Sequence, residues 1–188
     1  ASGYHPGVMT RGYGGRAGDG PRTVATDSDP ADVGEEPVVL ARRTGCPVVA
    51  DPNRARAAQR LIDTHGCDVL LSDDGLQHLA LARDIEIAVV DGNRRFGNGY
   101  CLPAGPLREP PSRLRDVDAV VTQGDALSGE WRMMLVERSF VRVGAGEPPK
   151  SLDAFQGMTV HAVAGIGNPQ RFFEHLARLG VRPIEHPF

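Results

Sequence analysis

Short apolar runs alternate with amphipathic stretches along most of the chain. Val8-Met9-Thr10 is a brief apolar segment that opens into the turn-like run Arg11-Gly12-Tyr13-Gly14-Gly15. Residues 14–30 are rich in Gly, Asp, Ser and Pro and predict a surface loop. Asp32 is placed to cap a helix over 35–43, with Gly45 closing it. Residues 47–50 read as a short buried strand. Residues 53–65 carry apolar side chains at 55, 58, 61 and 62, a helical period closed by Gly66. Apolar runs at 68–72, 85–90 and 118–122 predict further buried strands, and 76–81 a short helix or turn. Residues 131–143 predict one or two longer, partly exposed strands. A strand at 159–164, an amphipathic helix at 170–178 and a strand from 181 complete the pattern.

This alternation predicts an α/β fold: a mainly parallel sheet with helices on both faces. The organisation expected is a core over 1–143, a Gly/Pro-rich linker at 144–158 and the start of a smaller second α/β lobe at 159–188. Parallel sheets collect ligands beyond the carboxyl ends of their strands. Polar groups follow the runs at 8–10, 68–72, 85–90 and 118–122, where that rule puts them.

Composition narrows the chemistry. The chain has 188 residues, 40% hydrophobic and 24% charged, enough to bury a core. Its formal charge of −3 gives no basic character that would argue for nucleic acid. Lys150 is the single lysine among 21 basic residues, so no Gly-rich phosphate loop with its lysine lies within this sequence. Cys46, Cys67 and Cys101 are widely spaced, which argues against a disulfide framework or a zinc site and fits a reducing cytosol. No apolar run approaches the roughly 20 residues of a membrane span. The chain begins with Ala1 and ends on His186-Pro187-Phe188, which reads as a piece of a longer protein.

Ser72-Asp73-Asp74-Gly75-Leu76-Gln77-His78 is the sharpest motif. Two adjacent carboxylates at the end of an apolar strand are costly unless solvated, paired or metal-bound. They suit a Mg²⁺ site of the kind that follows a strand in nucleotide-binding proteins, with Gln77 and His78 in the polar shell, and equally an Asp pair capping a turn. Glu35 and Glu36 open a predicted helix, where the helix dipole favours acidic residues and where a general base or metal-shell carboxylate would also stand. Residues 102–113 form a proline-rich loop that is either a surface linker or a platform presenting Arg108, beside Glu109, to phosphate. Arg11 to Gly15 is a flexible loop or an anion-binding one. Gly165-Ile166-Gly167-Asn168-Pro169 lacks the third glycine of a dinucleotide fingerprint, since position 170 is Gln170.

Five segments in order resemble the tetraacyldisaccharide 4′-kinase family of lipid A biosynthesis: residues 11–15, 33–43, 72–78, 102–109 and 164–169. The resemblance runs from about Gly3 to Phe188. It implies a P-loop α/β core and transfer of the γ-phosphoryl group of ATP, with Mg²⁺, to the 4′-hydroxyl of a lipid-linked glucosamine disaccharide. It implies a peripheral enzyme on the cytoplasmic face of a bacterial inner membrane.

Carried over by residue, the resemblance assigns Asp73 and Asp74 to the Mg²⁺ and nucleotide site, Gln77 to the metal shell and Glu36 to the cofactor side. It assigns Arg108 and Glu109 to the active-site loop, and Arg11 and Tyr13 to the disaccharide. Three departures stand out. Glu35 occupies the place of the family's catalytic aspartate and is one methylene longer. The family's P-loop would precede Ala1, and its Pro-Asp-His-His segment would follow Phe188. The 188 residues alone are therefore expected to transfer no phosphate, and the alternative reading is a non-catalytic nucleotide- or lipid-sugar-binding fragment or truncated paralogue. A metal-dependent phosphatase fits less well, because its two aspartates are usually spaced two residues apart.

Overall fold

The structure, a computed structural model, describes residues 3–188 except 17, 145 and 147. The first strands and helices are β1 (Pro6–Thr10), β2 (Arg22–Val24), α1 (Pro30–Val33), α2 (Glu35–Thr44), β3 (Val48–Ala50), α3 (Arg54–His65) and β4 (Val69–Ser72). They are followed by β5 (Ile87–Asp91), β6 (Ala119–Gln123), β7 (Trp131–Met133), β8 (Thr159–Ala164), α4 (Pro169–Arg178) and β9 (Arg182–Pro187). Among the described residues the strands form sheets of order β2-β3-β1-β4, β5-β6-β7 and β8-β9. The pairs β1–β3, β1–β4, β5–β6 and β8–β9 are parallel. The fold is thus α/β with mainly parallel strands, as the alternation predicts.

β1 and β3 show why parallel strands read as unbroken apolar runs. Val8, Val48 and Ala50 face one side and pack on Val38 and Ala41 of α2. Met9 and Val49 face the other and pack on Ala57, Ala58 and Leu61 of α3. With helices on both faces, neither side of the strand has reason to be polar. Burying each such side chain is worth about 1.5–3 kcal/mol before entropy is counted. β4 and β5 stand at sheet edges, and their outward residues Val69, Leu71, Ile87 and Val89 are exposed.

Helix ends follow the sequence closely, with one correction. Asn53 caps α3 by accepting from the backbone of Ala55 and Arg56, and Gly66 ends it in the left-handed conformation. Gly45 ends α2 the same way. Asp32, however, does not cap α2. A short helix, α1, intervenes, capped by Asp29, and Gly34 links it to α2 with φ 93°. The expected loop at 14–30 also contains β2, which runs antiparallel to β3.

The chain divides into two compact units, Ala1–Trp131 and Arg132–Phe188. The division falls earlier than position 143. Residues 131–143 give only the three-residue β7 and one isolated bridge, between Phe140 and Lys150. Phe140 belongs with the second unit because its ring meets that of Phe155 edge-on at 4.9 Å. The core of that unit is Ala162, Ala164, Phe173, Leu176 and Val181, between the β8–β9 pair and α4.

Candidate active site

The carboxyl ends of β1 and β4 build the site. The register that pairs Met9 with Ser72 continues one step further, where the Asp73 N–H donates to the Met9 carbonyl at 3.0 Å. Buried Thr10, the last residue of β1, donates its hydroxyl to the Asp73 carboxylate at 3.4 Å. Asp74 then turns the chain with φ 47°, a left-handed conformation that Asp tolerates better than most residues. Gly75 completes the turn, because a Cβ there would stand 2.4 Å from the Ser72 hydroxyl.

Beneath this turn lies Arg54, the first residue of α3, with only 4% of its surface exposed. Its guanidinium donates to the Met9 carbonyl at 2.9 Å and to the Asp73 carbonyl at 2.7 Å, with a longer contact of 3.5 Å to the Asp74 carbonyl. It therefore ties the ends of β1 and β4 together and places a fixed positive charge under the acidic pair. Burial lowers its pKa, and the charges of Asp73 and Asp74 oppose that. The sequence reading does not single out Arg54. The available signal is its position, since a cation in the first turn of a helix runs against the helix dipole and needs another reason to be there.

Glu36 reaches this cluster from the first turn of α2. Its pKa is raised, first by burial, then by the charge of Asp73 and a hydrogen bond to its carboxylate, then by Asp74, while Arg54 opposes. Two carboxyl groups thus share a position that favours one proton or one cation between them. Glu35, one residue earlier, is exposed, as is Glu36. Of the two glutamates weighed in the sequence, the one whose carboxyl responds to Asp73 is Glu36.

Asp74 turns outward to Arg108. The pair is bidentate, with Nη1 to Oδ2 at 2.9 Å and Nη2 to Oδ1 at 2.5 Å. This hydrogen bonding holds the Asp74 carboxyl below its ordinary range, against the effect of burial, and raises the pKa of Arg108. Gln77 donates to Glu109 at 2.6 Å, and Glu109 also meets the Arg113 Nε at 3.3 Å. Arg113 pairs with Glu86, Glu86 with Arg83 at 2.6 Å, and Arg83 donates back to the carbonyls of Gly75 and Leu76. The acidic turn and the proline-rich loop are therefore fastened to each other at several points. The loop has internal order of its own: Leu102 N–H donates to the Leu107 carbonyl at 2.8 Å, and the Asn98 amide to the Ala104 carbonyl at 2.9 Å.

Arg11 and Tyr13 line a cleft of about 280 Å³ next to this cluster, together with Arg16, Arg22 and Asp32. The charge of Arg11 lowers the pKa of both Asp74 and Arg54, so the cleft opens beside the acidic pair. Lys150, the single lysine, lies in the second unit with its ammonium 5.6 Å from the centre of the Phe155 ring.

Mg²⁺ takes oxygen ligands and commonly keeps several waters and substrate phosphates, needing only one or two carboxylates from the protein. Asp73 and Glu36 meet that requirement: two neighbouring carboxyl groups, one with its pKa raised in part by the other, with a threonine hydroxyl beside them. No group of three or more potential ligands gathers among the described residues. Gln77 directs its amide N–H to Glu109.

Comparison with known proteins agrees with this architecture. The family model described as LpxK, tetraacyldisaccharide-1-P 4′-kinase, matches residues 1–188. The tetraacyldisaccharide 4′-kinase of Nitrosococcus oceani is 55% identical over 188 residues, covering 99% of this chain and 55% of the relative. That of Alkalilimnicola ehrlichii is 54% identical over 189 residues, covering all of this chain and 56% of the relative. The chain thus spans about half the length of these curated relatives. The crystal structure of LpxK from Aquifex aeolicus in complex with ATP superimposes with a TM-score of 0.76 at 24% identity, over 98% of this chain and 62% of that one, and shows a shared fold. With a family model matching from end to end, the chain belongs to the tetraacyldisaccharide-1-P 4′-kinase family.

Proposed function

We propose that these residues form the acidic, acceptor-side part of an ATP-dependent kinase that phosphorylates the 4′-hydroxyl of a tetraacyl glucosamine disaccharide. The observation that carries this reading is the Asp73–Asp74 turn, held over buried Arg54 and clamped by Arg108. Family membership supports the acceptor, and the ATP complex of the Aquifex aeolicus relative supports the donor. Asp73 and Glu36 would hold Mg²⁺, which when bound neutralises charge on the nucleotide phosphates. Glu35, which stands where the resemblance puts the base, would accept the proton of the 4′-hydroxyl. Glu35 is exposed, so an incoming hydroxyl can reach it. Arg108 steadies Asp74 and would exchange part of that bonding for a phosphate oxygen. Glu109, through Gln77 and Arg113, fixes the loop that carries Arg108.

An acyl-bearing acceptor would bring the intact protein to a membrane surface, and a need for ATP would favour the cytoplasmic face of the inner membrane. No helix among the described residues is long and apolar enough to cross a membrane. The 188 residues hold no phosphate-loop lysine, so alone they should transfer no phosphate. A chimera tests the reading directly: these residues replace the matched segment of the Nitrosococcus oceani relative, and γ-phosphoryl transfer to the disaccharide is measured. The chimera should be active, and Asp73→Asn within it should lose activity by about a hundredfold or more. An inactive but folded chimera, or an undiminished Asp73→Asn, refutes the reading.

A further inference from the structure

We propose that Arg95 and Glu130 are positioning residues for the phosphoryl-transfer site: their ion pair, at the carboxyl ends of β5 and β6, holds the proline-rich loop so that Arg108 stays aligned on Asp74. The inference rests on the kinase reading and deepens it, because it names what orients a side chain which that reading places at the phosphates.

The pair is tightly built. Arg95 donates from Nη1 to Glu130 Oε2 at 2.9 Å and from Nη2 to Oε1 at 2.8 Å. Glu130 Oε2 also accepts from the Thr122 hydroxyl at 2.7 Å and from the Leu127 N–H at 2.9 Å. Thr122, in β6, is fully buried, so the carboxylate is fixed to the sheet. Both charges are largely withdrawn from water, with 23% and 11% of their side chains exposed. Taking two charges out of water is costly, and apolar side chains of similar volume would hold the same elements together as well or better. The backbone of Arg95 adds to that cost. Its φ of 48° is left-handed, which a residue other than glycine adopts only where its surroundings over-determine it. A costly pair on a strained residue points to a need for fixed geometry.

What the pair fixes can be followed residue by residue. Arg95 stands in a turn organised by Asp91, whose carboxylate accepts from the N–H groups of Asn93 and Arg94 and whose carbonyl accepts from that of Arg95. The residues that follow cradle the loop. Gly97 lies so close to Pro106 that a Cβ would stand 2.9 Å from its ring. Asn98 donates its amide to the Ala104 carbonyl and accepts from the Tyr100 N–H. A Cβ at Gly105 would collide with Asn98 and with the Tyr100 carbonyl. The Leu107 N–H donates to that same carbonyl at 3.2 Å, and Arg108 comes next. Beyond it, Glu109 and Arg113 are held by Gln77 and Glu86. Arg108 is thus suspended between two anchorages. Its pair with Asp74 is more than half exposed on both sides, and such a pair gains too little by itself to keep a long side chain in one place. The alignment comes from the backbone beneath it.

The test is made in the full-length chimera. Glu130→Gln and Arg95→Gln should each lower kcat by roughly 10- to 100-fold and leave the KM for the disaccharide within about twofold. Arg95→Lys keeps the charge without the fork and should fall between them and the parent. In an Arg108→Gln background, Arg95→Gln should cost less than about twofold more, since a residue that acts through Arg108 has nothing further to lose. Hydrogen exchange in the same variants should speed by roughly tenfold or more over residues 100–108 and change by less than about twofold over β6. Should Arg95→Gln fail to fold, Arg95→Lys carries both the double-variant and the exchange comparison.

Equal losses with and without Arg108 overturn the proposal, as does a loss carried by the KM alone or an unchanged kcat in both variants. Exchange that rises equally in the loop and in β6 overturns it too, because the pair would then only hold the sheet. An inactive parent chimera refutes the kinase reading instead, and the exchange comparison then still decides whether the pair holds the loop.

Discussion

Replacing Arg54 by methionine isolates what the buried guanidinium does. Methionine keeps the aliphatic bulk against the sheet and removes the charge and the donors. Two short hydrogen bonds disappear, to the carbonyls of Met9 and Asp73, together with the longer contact to Asp74. Hydrogen bonds to charged groups contribute about 1.5–3 kcal/mol each, so the gross loss is about 3–6 kcal/mol. Water reaching the partly exposed turn at Asp73 recovers some of this, and the charge no longer needs burying, which leaves about 2–4 kcal/mol. With a urea dependence of about 1–3 kcal/mol per molar, the midpoint should fall by roughly 1–2 M.

Arg54→Lys should fall between the two proteins, because an ammonium keeps the charge and loses the fork that spans two carbonyls. In the chimera, Arg54→Met should raise the KM for Mg·ATP and lower kcat together, since the acidic turn loses both its anchor and its counter-charge. Arg54→Met with a urea midpoint within about 0.3 M of the parent would refute the reasoning, because the two carbonyls would then have been no worse off without it.

The other predictions concern titration. Glu36 has a raised folded pKa, so its ionisation costs stability as pH rises from 4.5 through the folded value. Glu36→Gln should therefore be more stable than the parent near pH 7 and indistinguishable from it below about pH 4.5 in urea titrations, and Mg²⁺ should stabilise the parent more than the variant. Glu130 behaves in the opposite way. Arg95, the Leu127 N–H and the Thr122 hydroxyl hold its pKa down to about 2 from 4.5. Its contribution should be present above pH 4.5 and fade as pH falls toward 2, and Glu130→Gln should flatten that acid limb of the unfolding curve.

Local features were legible because local rules set them. Asn53, Gly45 and Gly66 mark helix ends through their own conformational preferences. The one misplaced cap shows the limit of such rules: Asp32 is a good cap by residue type, but it lies inside α1, which Asp29 caps and Pro30 opens, and α2 starts from Gly34. The division of the chain was less legible. The glycines and prolines at 144–149 look like a linker, yet Phe140 lies on their far side and packs with Phe155. Nothing in the local pattern of residues 131–143 distinguishes a strand from an irregular segment held by one aromatic contact.

By itself the sequence determined the alternating elements, the acidic turn after β4, the shortage of lysine and the order of motifs that marks the family. These depend on short-range spacing and residue chemistry. The tertiary structure decided which charged groups meet. Arg54 reaches a carbonyl 45 positions away, and Arg108 a carboxylate 34 positions away. The register of β1 against β4 sets the first contact, and the ties among residues 75–113 set the second. The choice between Glu35 and Glu36 has the same origin. Neighbouring helix positions point about 100° apart, and the burial of Pro37, Val38 and Ala41 fixes the rotation that turns Glu36 toward Asp73.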